Sequence, residues 1–201
     1  MALHYGVIAE DVSDVNVIKL LAKKIVGSSI STSHFVGKGC GAIRRKALGW
    51  CKAFQLKGCQ RILLVHDRDD ANEAALRRDL EAILAQAPQP YKVVVIPVEE
   101  LEAWLLSDHT AIARALNLRR ELREEHHPEE IGSPKEHLER IIFKASEKRT
   151  QYVNSIHNAL IADQIDVTKI KAKCPSFARF SEFLEQHRPA AKKRAKRGRR
   201  R

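Results

Sequence analysis

The sequence predicts an α/β fold, a mostly parallel sheet flanked by helices, with a helical C-terminal part. Two observations predict it. Short apolar runs alternate with amphipathic stretches through the first half of the chain, and no further strand-like run follows residue 99. Such alternation is typical of a parallel sheet that helices cover on both faces. A chain of 201 residues can also bury a core without disulfide or metal staples.

Apolar runs in the first half of the chain predict four strands. They cover 4–9, 33–36, 61–66 and 92–96, and the run at 61–66 is the clearest buried strand. Apolar residues at three- and four-residue steps predict helices between them, at 14–26, 42–56 and 71–85. We expect Ser13 or Asp14 to cap the first of these helices.

The second half of the chain predicts only helices. They cover 99–106, 109–116, 134–145, 151–162 and 176–187, with a charged loop at 119–133. We therefore expect an α/β domain over 1–106, a helical part packed on it over 107–188, and a disordered basic tail over 189–201.

The net charge of +11 lies mostly in the tail, which leaves about +3 for the rest of the chain. The tail has two open interpretations: it binds nucleic acid without sequence preference, or it is simply solvated. The tail residues that we take as candidates for nucleic-acid binding are Lys192, Lys193, Arg194 and Arg197.

Membrane and secretory features are missing from the sequence. No run of about 18 apolar residues occurs, and the N-terminus lacks the pattern of a signal peptide. The four cysteines form no Cys-x-x-Cys pair, so we interpret them as small buried side chains or free thiols. A cytoplasmic location is expected.

Acidic residues follow three of the four predicted strands. They are Glu10 and Asp11 after the first, Asp67, Asp69 and Asp70 after the third, and Glu99, Glu100 and Glu102 after the fourth. Parallel strands bring their carboxyl ends to one edge, where ligands bind. Two carboxylates about 5 Å apart repel by roughly 3 kcal/mol at an effective dielectric of 20, so a hard cation is expected, Mg²⁺ or Mn²⁺.

Each of these acids has a structural alternative. Asp67 and Asp69 point the same way in an extended segment and can hold one ion, but acids after strands also cap helices and form turns. Glu102 fits a second metal equally as well as the first turn of a helix, where the macrodipole favours an acid. His66 either assists such a site or is simply packed.

Basic residues near a glycine-rich turn are candidates for substrate phosphate. Lys38 lies in this turn at 37–41, and Arg44 follows it at the start of a helix. The order is not that of a nucleotide P-loop, and a flexible turn before a basic helix face is the alternative. A second basic run, usually a solvated face, comprises Lys135, Arg140, Lys144, Lys148 and Arg149.

The order of the acidic motifs resembles the Toprim superfamily. Glu10 and Asp14 match its Glu-Gly-x-x-Asp pattern, with Asp11 in place of the usual glycine, and Asp67-Arg68-Asp69 matches its Asp-x-Asp. The chain is more similar to small bacterial Toprim-like proteins related to the overcoming-lysogenization-defect (OLD) nucleases. Segments like 99–106 (EELEAWLL) and 173–180 (KCPSFARF) recur in that group.

The resemblance implies a Toprim-like, Mg²⁺- or Mn²⁺-dependent nuclease that hydrolyses phosphodiester bonds of DNA or RNA. Glu10, Asp67 and Asp69 would be its catalytic metal ligands, and Glu102 would serve a second metal. It also implies a role in phage defence with an ATPase subunit as partner. The alternatives are a non-catalytic regulatory or nucleic-acid-binding module that works through a partner, and a nucleotide phosphohydrolase. The sequence leaves the oligomeric state open.

Overall fold

The computed structural model describes residues 3–27, 30–37, 40–68 and 71–186, and it confirms the α/β fold. Its four strands are all parallel and lie in the order β2-β1-β3-β4. They are β1 (Leu3–Ala9), β2 (Ile30–Val36), β3 (Arg61–Val65) and β4 (Tyr91–Val95).

Nine α-helices flank or follow the sheet within the described ranges. Three of them connect the strands: α1 (Val12–Val26), α2 (Cys40–Leu56) and α3 (Glu73–Ala85). The helices that follow β4 are α4 (Glu102–Leu106), α5 (His109–Ala115), α6 (Pro134–Ala145), α7 (Asn154–Gln164), α8 (Val167–Lys173) and α9 (Ala178–Gln186).

The two faces of the sheet bury different sets of helices. Alternate strand residues, such as Ile8, Ile62 and Leu64, pack with apolar residues of α2 and α3. The intervening residues, such as Val7 and Leu63, form a larger core with α1 and the helices that follow β4. The helical C-terminal part therefore covers one face of the sheet, next to α1.

Local details differ from the sequence prediction where side chains compete with the expected caps. Asp11, and not Ser13 or Asp14, caps α1, and the Asp11 N–H donates a hydrogen bond to Asp14 Oδ2 at 3.2 Å, so the helix begins two residues earlier than predicted. The helix predicted from residue 99 begins at Glu102, because Glu99 adopts a left-handed φ of 56°. The short helix α8 was not predicted.

Three of the four cysteines, Cys51, Cys59 and Cys174, are buried free thiols, as expected; the side chain of Cys40 lies outside the described part. The basic tail, with Lys192, Lys193, Arg194 and Arg197, also lies outside it. No helix within the described ranges has both the length and the apolar character needed to cross a bilayer.

Gly6 on β1 tests how tightly α2 packs on the sheet. A Cβ at this position would lie 2.5 Å from Cδ2 of Phe54 and 2.8 Å from Cδ1 of Ile62. We expect Gly6→Ala to lower the free energy of unfolding by about 1–3 kcal/mol, as overpacking does. Urea unfolding measures it. The matched control is Gly49→Ala in α2, where a Cβ meets nothing within 4 Å, and which should instead stabilise by roughly 0.5–1 kcal/mol. Equal effects of the two substitutions would contradict the packing argument.

Candidate functional site

The connections of β1 and β3 create a crevice at the carboxyl edge of the sheet. From β1 the chain runs through α1 to the edge strand β2, and from β3 it runs through α3, on the opposite face, to β4. Neighbouring parallel strands whose connections leave in opposite directions open a crevice between their carboxyl ends, and ligands bind there in open α/β sheets. Glu10 follows β1 and Asp67 follows β3, so both lie at this point.

Glu10 joins the ends of these two strands. Its Oε1 accepts a hydrogen bond from the Asp67 N–H at 3.2 Å and lies 3.1 Å from Nδ1 of His66. His66 is 3% exposed, and its Nδ1 also lies 2.7 Å from the Asp67 carbonyl oxygen. Because that carbonyl can only accept, Nδ1 carries the proton in this contact. The Glu10 carboxylate is thus oriented by two donors at the end of β3.

A second pair of carboxyl groups, Asp14 and Glu102, is buried on the α1 side of the sheet. Glu102 Oε1 accepts hydrogen bonds from Asn158 Nδ2 at 2.9 Å and from the Tyr152 hydroxyl at 3.3 Å. The same Asn158 amide donates to Ser13 Oγ at 2.9 Å. This buried network ties α4 to α1 and α7 and leaves the second oxygen of Glu102 outside these hydrogen bonds.

Asp14 shows the electrostatic consequence of bringing these acids together. Burial, then the nearby carboxylates of Asp11 and Glu102, raises its pKa from 3.8 to about 8, and Glu10 acts in the same direction. Carboxylates that face one another at low exposure favour either a proton or a cation between them. The protonated form of the Asp14 carboxyl is therefore favoured at neutral pH.

The two other acids after β4 have structural partners. Glu99 forms an ion pair with Arg68, the residue between the two aspartates of the Asp-x-Asp motif. Glu100 Oε2 accepts a hydrogen bond from the Lys135 N–H at 2.9 Å, in the first turn of α6. Burial raises the pKa of the Glu100 carboxyl. Both side chains thus tie the segment after β4 to its neighbours.

The remaining predicted site residues are distributed as follows. Asp69 and Lys38 lie outside the described residues. Arg44 lies on α2 and pairs with Asp79 of α3 at 3.5 Å, with both side chains about half exposed. Over the ranges that the structure describes, no three acidic, histidine or cysteine side chains are grouped so as to hold one ion. The structure brings Glu10 and Asp67 together, and the metal site stays a prediction.

Sequence reasoning missed Tyr152 and Asn158, the two partners of Glu102. One signal was present: Asn158 shares the buried side of α7 with Ile161 and Ala162. A polar residue at a buried position must find hydrogen-bond partners. Nothing in the sequence indicated that the partner is Glu102, because 56 residues separate the two.

Comparison with known proteins identifies a family for this chain. The sequence matches the model of a domain of unknown function (DUF4276) over residues 13–185, which is most of the chain. That match includes Asp14, Asp67 and Glu102 and begins after Glu10. No curated protein and no solved structure matches the chain.

The raised pKa of Asp14 predicts a pH dependence of stability. The folded protein holds a proton on this carboxyl up to about pH 8, whereas the unfolded chain releases it near 3.8. The stabilisation is therefore complete below pH 4 and is lost as pH rises to about 8, by up to about 1.4 kcal/mol per pH unit. Urea unfolding between pH 5 and 9 should show this decline in the wild type, without metal. Asp14→Asn should remove it, whereas Asp79→Asn on the surface of α3 should not. An unchanged slope in Asp14→Asn would contradict the assignment.

Proposed function

Since the chain belongs to the DUF4276 family, whose description gives no function, we propose from the site itself that it is a Toprim-like nuclease. It uses Mg²⁺ or Mn²⁺ to hydrolyse phosphodiester bonds of DNA or RNA. The observation that carries the proposal is the hydrogen bond from the Asp67 backbone N–H to the Glu10 carboxylate, at the crevice between β1 and β3. The raised pKa of Asp14 supports it, because the carboxylates of Asp11, Glu102 and Glu10 add to the effect of burial.

The donor set suits a hard divalent cation. Mg²⁺ is commonly held by one or two carboxylates, with water and substrate phosphate completing its shell, and Glu10 and Asp67 supply two. Asp69 is the third proposed ligand, and Glu102 is proposed for a second ion. A bound metal would polarise the scissile phosphate and lower the pKa of its bound water.

The protein groups of this site would orient the acids and the substrate. The Asp67 N–H and His66 fix Glu10 in one orientation. Asn158 and Tyr152 fix Glu102 in the same way. Lys38 and Arg44 are proposed to contact substrate phosphate. The basic tail, with Lys192, Lys193, Arg194 and Arg197, is proposed to raise the local concentration of nucleic acid.

The resemblance to small Toprim-like proteins extends the proposal to the location of the protein, its role in the cell and its partner. We place the protein in the cytoplasm, as a component of phage defence with an ATPase subunit as partner. The similarity of 99–106 and 173–180 to that group supports this part of the proposal.

A second candidate is a non-catalytic module that binds nucleic acid or regulates a partner. One observation favours it: Glu99, Glu100 and Glu102 are all occupied by partners within the fold. Over the described ranges, too few acids are then grouped to hold one ion without Asp69. Metal binding separates the two candidates.

Cleavage assays test the proposed function. Supercoiled, linear and single-stranded DNA, RNA and free nucleotides are incubated with the protein and Mg²⁺ or Mn²⁺. We expect polymer cleavage that needs the metal, and a loss in Asp67→Asn and Glu10→Gln larger than the roughly 10–100-fold that removal of an outer partner costs. Asp163→Asn, at an exposed position of α7, is the matched control and should keep full activity. Release of phosphate from free nucleotides alone would instead identify a nucleotide phosphohydrolase.

Thermal unfolding gives a readout of the metal without turnover. A metal at 100 times its dissociation constant stabilises the folded state by about 2.7 kcal/mol. We therefore expect Mg²⁺ or Mn²⁺ to raise the Tm of the wild type and of Asp79→Asn, but not of Asp67→Asn. Absence of both cleavage and a metal-dependent rise in the wild type would favour the non-catalytic module.

A further inference from the structure

A cleft of about 610 Å³ lies on the helical part of the protein, between the outer face of α6 and the segment that follows it. Arg140 and Phe143 of α6 line one side, and Lys148, Arg149 and Gln151 line the other. Three of the five residues in the basic run noted in the sequence thus share one cleft. Of the other two, Lys144 lines a separate depression, with Arg123.

The turn after α6 has an unusual backbone. Glu147 and Lys148 are consecutive non-glycine residues with left-handed φ angles of 56° and 64°. The Lys148 N–H closes the turn by donating to the Phe143 carbonyl at 2.8 Å. Residues other than glycine rarely adopt this backbone conformation, and strained residues of this kind concentrate at functional sites. Here the strained turn brings Lys148 and Arg149 to the same cleft as Phe143.

The charges of the cleft favour an anionic ligand. Arg140, Lys148 and Arg149 face two carboxylates, those of Glu136 and Glu139. Arg140 donates a hydrogen bond to Nδ1 of His137 at 2.8 Å, and the acid at the turn, Glu147, pairs with Arg119 and Arg120 and not with Lys148 or Arg149. The Phe143 side chain is 41% exposed beside them. Cations for the backbone and an exposed aromatic ring for a base are the features with which proteins bind single strands.

Two features connect the lining of the cleft with the acids that follow β4. Gln151 lines the cleft, and the next residue, Tyr152, donates to Glu102. Glu136 of the cleft also adds its charge, after burial and Glu102, to the causes that raise the pKa of Glu100. The cleft is therefore connected through the fold to Glu100 and Glu102.

We propose that this cleft binds a single-stranded segment of nucleic acid, with Arg140, Lys148 and Arg149 at its phosphates and Phe143 stacked on one base. The inference rests on the proposed function and narrows its substrate class to single strands. Glu136 and Glu139 fit unpaired bases, because their carboxylates can accept hydrogen bonds from exocyclic amino groups. In a duplex, the base faces are stacked and are not available to Phe143.

Fluorescence anisotropy of the full chain in EDTA tests the cleft without cleavage. Labelled single-stranded DNA, single-stranded RNA and duplex DNA are compared at 0.15 M salt. Two phosphate contacts are worth roughly tenfold in affinity at this salt, so Lys148→Ala with Arg149→Ala should raise the Kd for single strands by about that factor. It should also make the slope of log K against log salt shallower by about 1.4. Arg123→Ala with Lys144→Ala removes the same charge from the neighbouring depression and should change the Kd by less than twofold. Equal effects of the two pairs would overturn the inference, as would tighter binding of the duplex.

A strand with 2-aminopurine separates the cleft from the basic tail, which has no aromatic residue. Stacking on Phe143 should change the emission of this base, Phe143→Tyr should retain the change, and Phe143→Leu should abolish it. A change that survives in Phe143→Leu would exclude the ring as the stacking platform.

The strain of the turn makes a further prediction about Lys148. Glycine adopts its left-handed φ without cost, so Lys148→Gly should raise the Tm while it weakens the binding of single strands. Glu147→Gly, at a position that does not line the cleft, should raise the Tm and leave binding unchanged. Weaker binding by both variants would mean that the conformation of the turn, and not the Lys148 cation, supports binding, and would overturn the assignment of Lys148.

These measurements distinguish failure of the inference from failure of the proposed function. Asp67→Asn should bind single strands as the wild type does, because the cleft lies outside the metal site. If single strands bind through the cleft but no substrate is cleaved, the proposed nuclease function is contradicted and the proposed binding site stands. If cleavage is unaffected by the loss of Lys148 and Arg149, the proposed binding site is contradicted and the proposed nuclease function stands.

Discussion

The contact between Glu10 and Asp67 is the interaction on which the candidate site depends. The two residues are 57 positions apart in sequence, and they meet because β1 and β3 are neighbours in a parallel sheet. The hydrogen bond from the Asp67 N–H does more than join them. It turns the Glu10 carboxylate toward the end of β3, where His66 contacts the same oxygen. Glu10 is therefore held at the crevice by the backbone of the very motif that supplies the other acid.

Electrostatic repulsion explains why most of the other acids at this edge have specific partners. Each further acid at this edge adds repulsion, and the fold offsets part of it with specific partners. Arg68 pairs with Glu99, the first turn of α6 takes Glu100, and amide and hydroxyl donors take Glu102. Asp14 is the exception, since its own hydrogen bonds remain within the capping box of α1. Burial, followed by the charges of Asp11 and Glu102, raises its pKa to about 8.

The sequence predicted the sheet well because the spacing of apolar residues and the residue types at the ends of strands are local signals. The apolar runs located all four strands, and the acids after β1 and β3 indicated the edge at which they would meet. Features that depend on tertiary partners could not be read in this way. The capping role of Asp11 depends on which of three nearby polar residues completes a reciprocal bond. The left-handed backbone of Glu99 shortens α4, although the sequence pattern predicts a helix that begins at this residue. The pairing of Glu102 with Asn158 joins parts of the chain whose separation no periodicity encodes.

The helical part is not an accessory to this site. The apolar core on the α1 face is continuous, with residues of β1 and β3 packed against Trp104, Phe177 and Phe180. Asn158 and Tyr152 reach from that part to Glu102, and α6 reaches Glu100. Truncation of the chain after α4 would therefore expose this apolar face. It would also remove the hydrogen-bond partners of Glu100 and Glu102. The same helices carry the cleft of Arg140, Phe143, Lys148 and Arg149. One packing arrangement thus orients the acids of the sheet edge and sets the position of the cleft beside them.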